Sequence, residues 1–399
     1  MIDFVKEAEA IFPTLVACRR DLHQHPELGG QEVRTKEVIA ATLESLGIEV
    51  EREVGTRFKG VVGFLRGGQP GPTVALRADI DALPIQEIKD LPYKSQNPGF
   101  MHACGHDAHT TIALGAARIL ASHRDELKGN VKFIFQPNEE REGGAEYMIE
   151  AGVLDDVSAI FGPHVDPEYP TSLIVTKPQA VMAASDRLSI DIKGLSAHGA
   201  APQRGVDAVV MASQFVMAVQ TLVSRELDPL DSAVVTFGVI RGGETRNVIC
   251  NNVHLEGILR TLRPEVRERT ISRMKKMLDG IAETFGGSYD FQRVRSYPAT
   301  INDEKLVGFA KETAIDLFGA QQFVDMPGSR LGCEDFSYYL EKVPGVFWFL
   351  GVANKEKDST HPWHSDYFDI DEDALKTGAA LQSALVYRYL EQRPEASRS

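Results

Sequence analysis

The stretch of the sequence richest in potential metal ligands is MHACGHDAH, residues 101–109. It places a cysteine, Cys104, and an imidazole, His106, two residues apart in a short loop ahead of a helix. Thiolate sulfur and imidazole nitrogen are ligands that zinc and similar divalent ions prefer. The spacing therefore indicates a metal site, with a buried cysteine beside surface histidines as the structural alternative.

Two adjacent carboxylates, Glu139 and Glu140, follow an apolar run at 131–135. Neighbouring side chains in extended backbone point to opposite sides. One carboxylate can thus bind a metal ion while the other faces the water held there, which is the division of roles that metal-assisted hydrolysis needs. A Glu-Glu pair taken alone is usually solvated surface, but its position at the end of a buried strand favours the functional interpretation.

Further candidate ligands also follow apolar strands. His164 ends one apolar run, Asp79 and Asp81 close another, and His364 lies in the segment HPWHS near the C-terminus. A lone histidine after a strand is more often structural, and a turn cap is the alternative for one of the two aspartates. Open α/β sheets bind ligands at the carboxyl ends of their strands. Together these side chains predict a site there, with at least one aspartate orienting a metal-bound imidazole or a bridging group.

The elements that must carry these residues follow two patterns, and the first is an alternation of strands and helices. Such alternation is typical of an α/β sheet covered on both faces. The strands are predicted at 60–65, 73–78, 131–135 and 159–164, and the helices at 2–24, 35–46 and 109–122. The same character returns near the C-terminus, with helices at 304–318 and 372–390 and a buried strand at 346–350.

Between these parts the pattern changes to alternating strands with polar faces. Strands are predicted at 188–192, 233–240 and 253–259, and amphipathic helices at 206–224 and 265–285. This indicates an inserted α+β domain, a four-stranded antiparallel sheet covered on one face by two helices. We therefore expect an α/β catalytic domain at residues 1–185, the inserted domain at 186–297, and the remainder of the catalytic domain at 298–399.

The net charge and the apolar runs of the sequence exclude some classes of binding partner. The 399 residues carry a formal charge of −14, which repels phosphate backbones and anionic membrane surfaces, so neither nucleic acid nor a membrane is an expected partner. The N-terminus lacks the basic and apolar regions of a signal peptide, and no apolar run approaches the roughly 18 residues of a membrane-spanning helix. A cytoplasmic protein is predicted. The four cysteines lie far apart and predict no disulfide framework or zinc ribbon.

Taken together, the sequence resembles the amidohydrolase branch of the binuclear metallopeptidases. That branch contains hippurate hydrolase, aminoacylases, N-acetyl-diaminopimelate deacetylase and plant indole-acetyl-amino-acid hydrolases. The resemblance runs nearly end to end, and its motifs are RRDLHQHPE at 19–27, RADIDALP at 77–84, CGHD at 104–107, FQPNEE at 135–140, SAH at 196–198, EDF at 334–336 and HS at 364–365. It implies a zinc-peptidase-like α/β catalytic domain with an inserted lid and dimerisation domain.

The resemblance also implies roles for single residues. It implies two divalent ions that share a water or hydroxide, with Glu139 as the general base and Asp81 as the acid behind the metal pair. In the lid domain, His198, Asn247 and Arg260 match positions that contact the substrate carbonyl or carboxylate. The implied metal ligands are Cys104, His106, Glu140, His164 and His364.

A few positions depart from that family's pattern. Asn138 stands where small residues are common, and Arg141 and Glu142 follow where glycines are usual. These residues border the implied base and could alter substrate choice, but none of them removes a ligand.

The predicted activity is hydrolysis of the amide bond of N-acyl amino acids, which releases a carboxylic acid and a free amino acid. A dipeptidase or carboxypeptidase that uses the same binuclear site is the first alternative, and a non-catalytic metal-binding protein is the second. A cysteine ligand favours zinc, whereas a mixed O/N/S site also accepts manganese, cobalt or nickel. The family's usual pairing implies a homodimer or higher homo-oligomer through the lid domain, with His198 reaching the partner's site.

Overall fold

The structure is a computed structural model that describes residues 2–393. The helices of this range are α1 (Phe4–Ala10), α2 (Phe12–Gln24), α3 (Val33–Ser45), α4 (His106–Ser122), α5 (Ala145–Glu150), α6 (Ala208–Thr221), α7 (Pro264–Phe285), α8 (Glu304–Phe318), α9 (Phe336–Leu340) and α10 (Ala374–Gln392). The strands are β1 (Glu49–Val54), β2 (Gly60–Arg66), β3 (Gln69–Asp79), β4 (Lys128–Gln136), β5 (Val157–Pro170), β6 (Ile174–Thr176), β7 (Gln179–Met182), β8 (Ala184–Lys193), β9 (Ala233–Gly242), β10 (Asn252–Thr261), β11 (Ser288–Arg295), β12 (Thr300–Asn302), β13 (Phe323–Asp325) and β14 (Gly345–Ala353).

The described chain divides into two compact units. The first contains residues 2–179, 301–327 and 335–393, and the second contains residues 180–300 and 328–334. The boundaries predicted at residues 186 and 297 leave out the short segment 328–334. This segment belongs to the second unit because its backbone pairs there: the N–H of Ala183 donates to the carbonyl of Gly332, and the N–H of Arg330 donates to the carbonyl of Val181.

The first unit is built on a mixed eight-stranded sheet with the order β1-β2-β4-β3-β5-β14-β6-β13. The central strands β4, β3, β5 and β14 are parallel, whereas β1 and β2 run antiparallel. Parallel strands are apolar on both faces because helices cover both sides, and β14 is buried over almost its whole length. β3 ends at Asp79 beside Gln136 of β4. The residues that follow these two strands therefore start from the same edge of the sheet.

Helices α4 and α10 pack against each other in the apolar core of the first unit. Nearly every side chain of α4 is buried, from His106 to Leu120. This burial matters for the site, because it fixes the first turn of α4, with its histidines, against the sheet. The predicted α/β class is confirmed.

The second unit contains the four-stranded antiparallel sheet β11-β8-β10-β9. Its core joins the sheet to α6 and α7, with Phe215 and Met274 fully buried. The predicted sheet and its two helices are confirmed, and β11 is the strand that the sequence pattern left unassigned. The expectation that no apolar run approaches the length of a membrane-spanning helix is wrong for the helical segment Ala208–Glu226, which passes by length and composition, a test that the core helix of a soluble protein also passes.

The single helix predicted at 2–24 is wrong, because the structure has two helices that meet at Ile11. Pro13 lies in the first turn of α2. Proline has no N–H to donate, and its ring clashes with the carbonyl one turn upstream, so a continuous helix would be broken there. Ile11 accordingly leaves the helical conformation, with φ −97° and ψ 2°.

Candidate metal centre

The loop that carries Cys104 and His106 turns sharply at Gly105. This glycine has φ +86°, and a Cβ there would lie 2.3 Å from Cγ2 of Val165, so no other residue fits the turn without displacement. α4 begins at the next residue. The turn and the buried helix together hold the thiol and the imidazole side by side.

The structure brings the five predicted ligands together in the first unit. Sγ of Cys104 lies 3.5 Å from Nε2 of His164. Oε1 of Glu140 lies 3.8 Å from Nε2 of His106 and 3.3 Å from Nε2 of His364. The sulfur of Cys104 lies within 4.8 Å of ligand atoms of His106 and His164. It lies equally close to ligand atoms of Glu140 and His364. Sulfur, nitrogen and oxygen donors thus converge on one small region.

Asp81 holds both glutamates and one histidine of this region. Its Oδ1 accepts hydrogen bonds from the N–H of Glu139 at 3.1 Å and from Nδ1 of His106 at 3.2 Å. Its Oδ2 accepts from the N–H of Glu140 at 3.1 Å. Because an ionised carboxylate only accepts, Nδ1 of His106 carries a proton, so Nε2 is the nitrogen that a metal ion would bind in place of a second proton. One buried side chain therefore sets the backbone of both glutamates and keeps a proton on Nδ1 of His106.

The backbone just before the two glutamates is held in an uncommon conformation. Asn138 has φ +62°, in the left-handed region that glycine and asparagine tolerate best. Its N–H donates to Oε1 of Glu32 at 2.9 Å. A Cβ on Gly29 would lie 2.3 Å from Oδ1 of Asn138, so this glycine admits the side chain. Sequence reasoning missed Glu32, because a partner 106 positions away leaves no local signal.

The region has an excess of negative charge. Burial alone would lower the pKa of His106, but the carboxylates of Asp79, Asp81 and Glu140 raise it to about 10. Burial raises the pKa of the Cys104 thiol well above its ordinary value, and the charge of Glu140 adds to this. These shifts show that the negative charge of the carboxylates is not balanced by a cation in the region. A divalent cation would supply it and would convert the thiol to a thiolate.

Individual donor atoms also fit a bound cation. Nε2 of His106 and Oε1 of Glu140 are buried and satisfy no hydrogen-bond geometry with any described residue. His164 donates its Nδ1–H to the carbonyl of Val165 at 2.8 Å, which leaves the lone pair on Nε2, on the side of the Cys104 thiol. Buried polar atoms without partners are costly in a folded protein unless something binds them. Zinc-type ions accept this set of sulfur, nitrogen and oxygen donors.

The remaining predicted site residues lie in the second unit. The loop of His198 pairs with the segment around Asn247, since the N–H of Gly199 donates to the carbonyl of Asn247 at 2.7 Å. Nδ1 of His198 accepts from the N–H of Ala200 at 3.1 Å. Arg260 lies on β10, and its Nη1 is buried with no hydrogen-bond partner among residues 2–393. The structure thus brings His198 and Asn247 to neighbouring backbone segments, and it leaves one guanidinium nitrogen of Arg260 unpaired.

Comparison with known proteins gives a family and several relatives. Residues 75–388 match the model of Peptidase family M20/M25/M40. The chain is 40% identical over 383 residues to the N-acetylcysteine deacetylase of Bacillus subtilis (strain 168), a match that covers 96% of this chain and 98% of that protein. It is 37% identical over 388 residues to thermostable carboxypeptidase 2 of Saccharolobus solfataricus, covering 96% and 97%.

A solved structure is similar over nearly the whole chain. It is the YXEP protein of Bacillus subtilis, which is described as a dinuclear metal binding peptidase from the M20 family. The TM-score is 0.85 at 38% sequence identity, and the match covers 96% of this chain and 99% of that one.

Proposed function

Because this chain belongs to peptidase family M20/M25/M40, and is thus a hydrolase, we propose that it cleaves the amide bond of N-acyl amino acids to release a carboxylic acid and a free amino acid. The observation that carries this proposal is the placement of the two adjacent glutamates. Asp81 holds the backbone of both, and the Glu140 side chain lies among the other candidate ligands. One carboxylate then belongs to the metal cluster while its neighbour, Glu139, can move a proton.

Two divalent ions are the proposed cofactor. The residues that would hold them are Cys104, His106, Glu140, His164 and His364. The thiolate favours zinc, and the mixed donor set also suits manganese, cobalt or nickel. When bound, such ions act as Lewis acids that lower the pKa of a water and polarise a carbonyl. The similarity to a dinuclear metal binding peptidase supports a pair of ions.

Glu139 is the proposed general base. It takes a proton from the attacking water and then donates it to the amine that leaves, so one carboxylate serves both proton transfers. Asp81 is the proposed positioning residue for this chemistry. Since its two oxygens bind the backbone of both glutamates, the directions of the base and of the neighbouring ligand are set before the substrate arrives.

The amino-acid part of the substrate offers a carboxylate, and Arg260 is the residue proposed to bind it. Its buried Nη1 has no hydrogen-bond partner within the described chain, and a guanidinium binds a carboxylate through two parallel hydrogen bonds. Asn247 and His198 are proposed to contact the substrate carbonyl or carboxylate, with His198 stabilising the oxyanion. The similarity to the N-acetylcysteine deacetylase supports an N-acyl amino acid as substrate.

A homodimer or higher homo-oligomer through the second unit is the proposed working form, in the cytoplasm. β9 lies at an edge of its sheet, and of the described strands only β10 pairs with it. An exposed edge strand invites pairing with another chain. Ile240 on β9 and Met217 on α6 are 59% and 74% exposed, so both elements present apolar side chains to solvent. An isologous two-fold contact would supply one His198 to each partner's site.

A dipeptidase or carboxypeptidase with the same site is the second candidate, which the similarity to thermostable carboxypeptidase 2 favours. A hydrolysis screen separates the two. N-acetyl and N-benzoyl amino acids are compared with dipeptides, with zinc, manganese, cobalt or nickel added separately to the metal-free protein. A higher kcat/KM for the N-acyl amino acids supports the proposal, and a higher kcat/KM for dipeptides replaces it with the second candidate.

A non-catalytic metal-binding protein, the other alternative that the sequence left open, disagrees with membership of a hydrolase family. A structural zinc site is closed by four ligands and needs no adjacent carboxylate, so the Glu139 and Glu140 pair argues against it. Binding of metal without hydrolysis of either substrate class would establish it. Glu139→Gln is the matched control, because it should bind metal and lose turnover, which shows that activity in the screen belongs to this protein.

A further inference from the structure

His109 lies one helical turn after His106 on α4, and both of its ring nitrogens are engaged. Nδ1 lies 2.6 Å from Oδ1 of Asp79, and Nε2 accepts the N–H of Val165 at 2.8 Å. A backbone N–H can only donate, so Nε2 carries no proton. A carboxylate in its ionised form can only accept, so the single proton is on Nδ1. The geometry therefore defines one neutral tautomer of His109.

The carbonyl of Val165, which belongs to the next peptide group along the chain, is held as well. Its carbonyl accepts from Nδ1 of His164 at 2.8 Å and from Nε1 of Trp363 at 2.9 Å. The first of these bonds places the His164 proton on Nδ1 and leaves Nε2 for the metal cluster. The hydrogen bond from Trp363 fixes the position of the residue that precedes His364. The Val165 carbonyl thus links two of the proposed metal ligands, and the N–H of the same residue connects them to His109.

His109 is not itself a metal ligand in this arrangement. Ligand atoms of Asp79, His106 and His109 lie within 4.8 Å of one another, which is close enough for a cation. However, the lone pair of His109 already accepts the N–H of Val165, and its other nitrogen donates to Asp79. The rings of His109 and His164 instead pack edge to face, with centroids 4.5 Å apart.

We propose that Asp79 and His109 form a positioning pair that orients the backbone of Val165 and, through its carbonyl, the metal-binding tautomer of His164. Asp79 is itself anchored, because Nη1 of Arg77 donates to its Oδ2 at 2.7 Å. The chain of contacts therefore runs from the sheet through α4 to β5. This inference rests on the proposed metal centre and adds to it a determinant of metal affinity outside the ligand set.

The test uses the full-length protein with His109→Leu and His109→Gln. Leucine removes both hydrogen bonds, whereas glutamine keeps an acceptor near the position of Nε2. Partners of metal-bound histidines typically change metal affinity by about 10- to 100-fold. We expect a zinc affinity loss of that order in His109→Leu and near wild-type affinity in His109→Gln. At saturating zinc, kcat of His109→Leu should return to within a few-fold of the wild type.

A readout independent of activity is the tautomer of His164 in the metal-free, ¹⁵N-histidine-labelled protein, measured by NMR. We expect the Nδ1–H form in the wild type and a mixture in His109→Leu. His254→Leu is the matched control, because His254 pairs with Asp191 at 2.9 Å in the second unit and touches none of the proposed ligands. It should change neither zinc affinity nor the His164 signal.

If His109→Leu folds and keeps both the wild-type zinc affinity and the His164 tautomer, the inference is wrong. If His109→Leu does not fold, Asp79→Asn decides instead. An asparagine NH₂ facing His109 would donate to Nδ1 and move the ring proton to Nε2. Two donors, Nε2–H and the N–H of Val165, would then face each other, so zinc affinity should fall. Unchanged zinc affinity would overturn the inference. If the wild type binds none of zinc, manganese, cobalt and nickel, the proposed function is refuted, while the tautomer measurement still tests the positioning pair.

Discussion

Replacing Asp81 with asparagine tests whether one carboxylate positions the candidate centre. Asparagine keeps one oxygen and presents an NH₂ group in place of the other. If this group replaces Oδ2, the N–H of Glu140 loses its acceptor; if it replaces Oδ1, Glu139 N–H and His106 Nδ1 both lose theirs. We expect the first orientation, because it loses one hydrogen bond rather than two.

The magnitude follows from that single lost bond. A hydrogen bond to a charged group contributes about 1.5–3 kcal/mol, and a buried donor left unpaired costs about 1–3 kcal/mol. The positioning of Glu140 should therefore weaken by about 2 kcal/mol, which corresponds to a factor of about 30. Zinc affinity and kcat/KM of Asp81→Asn are expected to fall by roughly this factor, within the range typical of residues that support metal ligands.

The assay is competition for zinc between the metal-free protein and a chromophoric chelator, with kcat/KM measured at saturating zinc. Circular dichroism establishes that the variant is folded. Asp191→Asn serves as the control, because Asp191 also pairs with a histidine, His254, but lies in the second unit. If Asp81→Asn binds zinc and turns over substrate like Asp191→Asn, then Asp81 does not position the centre and the reasoning from its three hydrogen bonds fails.

Four further predictions follow from the site and its surroundings. Chelation should abolish activity, and Cys104→Ala should lower the zinc content measured by elemental analysis, because it removes the one thiolate among the proposed ligands; unchanged metal and turnover would exclude this ligand. Glu139→Gln should keep its metal and lose about 100- to 10,000-fold in kcat, whereas Glu140→Gln should lose metal, and the opposite pattern would exchange their roles. His198→Ala and Glu139→Gln, each nearly inactive, should regain partial activity when their subunits are exchanged, and no recovery in heterodimers verified by mass spectrometry would show that His198 does not act across the interface. Burial raises the pKa of Glu32 to about 7 from an ordinary value of 4.5, so its contribution to stability is complete below pH 4.5 and is lost as the pH rises through 7. Glu32→Gln should remove this pH dependence. The free energy of unfolding of the metal-free variant, measured in urea, should therefore rise relative to that of the wild type by about 2 kcal/mol between pH 5 and pH 8. A difference that does not change with pH would contradict the raised pKa of Glu32.

Most elements of the fold were predictable because their signals are local. The apolar runs of β2, β3 and β4 and the periodicity of α7 and α8 place these elements within about four residues of their observed ends, whereas β5 continues to Pro170, beyond its predicted end at residue 164. The break at Ile11 was missed, although Pro13 was its signal, because apolar spacing continues across it. The segment 328–334 could not be assigned from spacing, since its membership of the second unit depends on backbone pairing with residues 181–183.

The candidate ligands were also identifiable by type and spacing, whereas the network that supports them was not. Cys104 and His106 share one short loop, and Glu139 and Glu140 are neighbours, so their chemistry is visible in the chain itself. The partners of Asp81 come from α4 and from the residues after β4, 25 to 59 positions away. Similarly, His109 meets the backbone of Val165 across 56 positions.

The sequence by itself determined the two kinds of domain, the residues able to bind metal and the adjacent pair of carboxylates. These properties depend on residue type and on periodicity over a few turns or strands. Tertiary structure alone decided which buried polar atoms remain unpaired, that Nδ1 of His106 and of His164 each holds a proton, and that Asp81 serves three donors. A hydrogen bond requires two groups within about 3 Å and in line. Only the packing of α4 against parallel strands brings groups so distant in the chain to that separation.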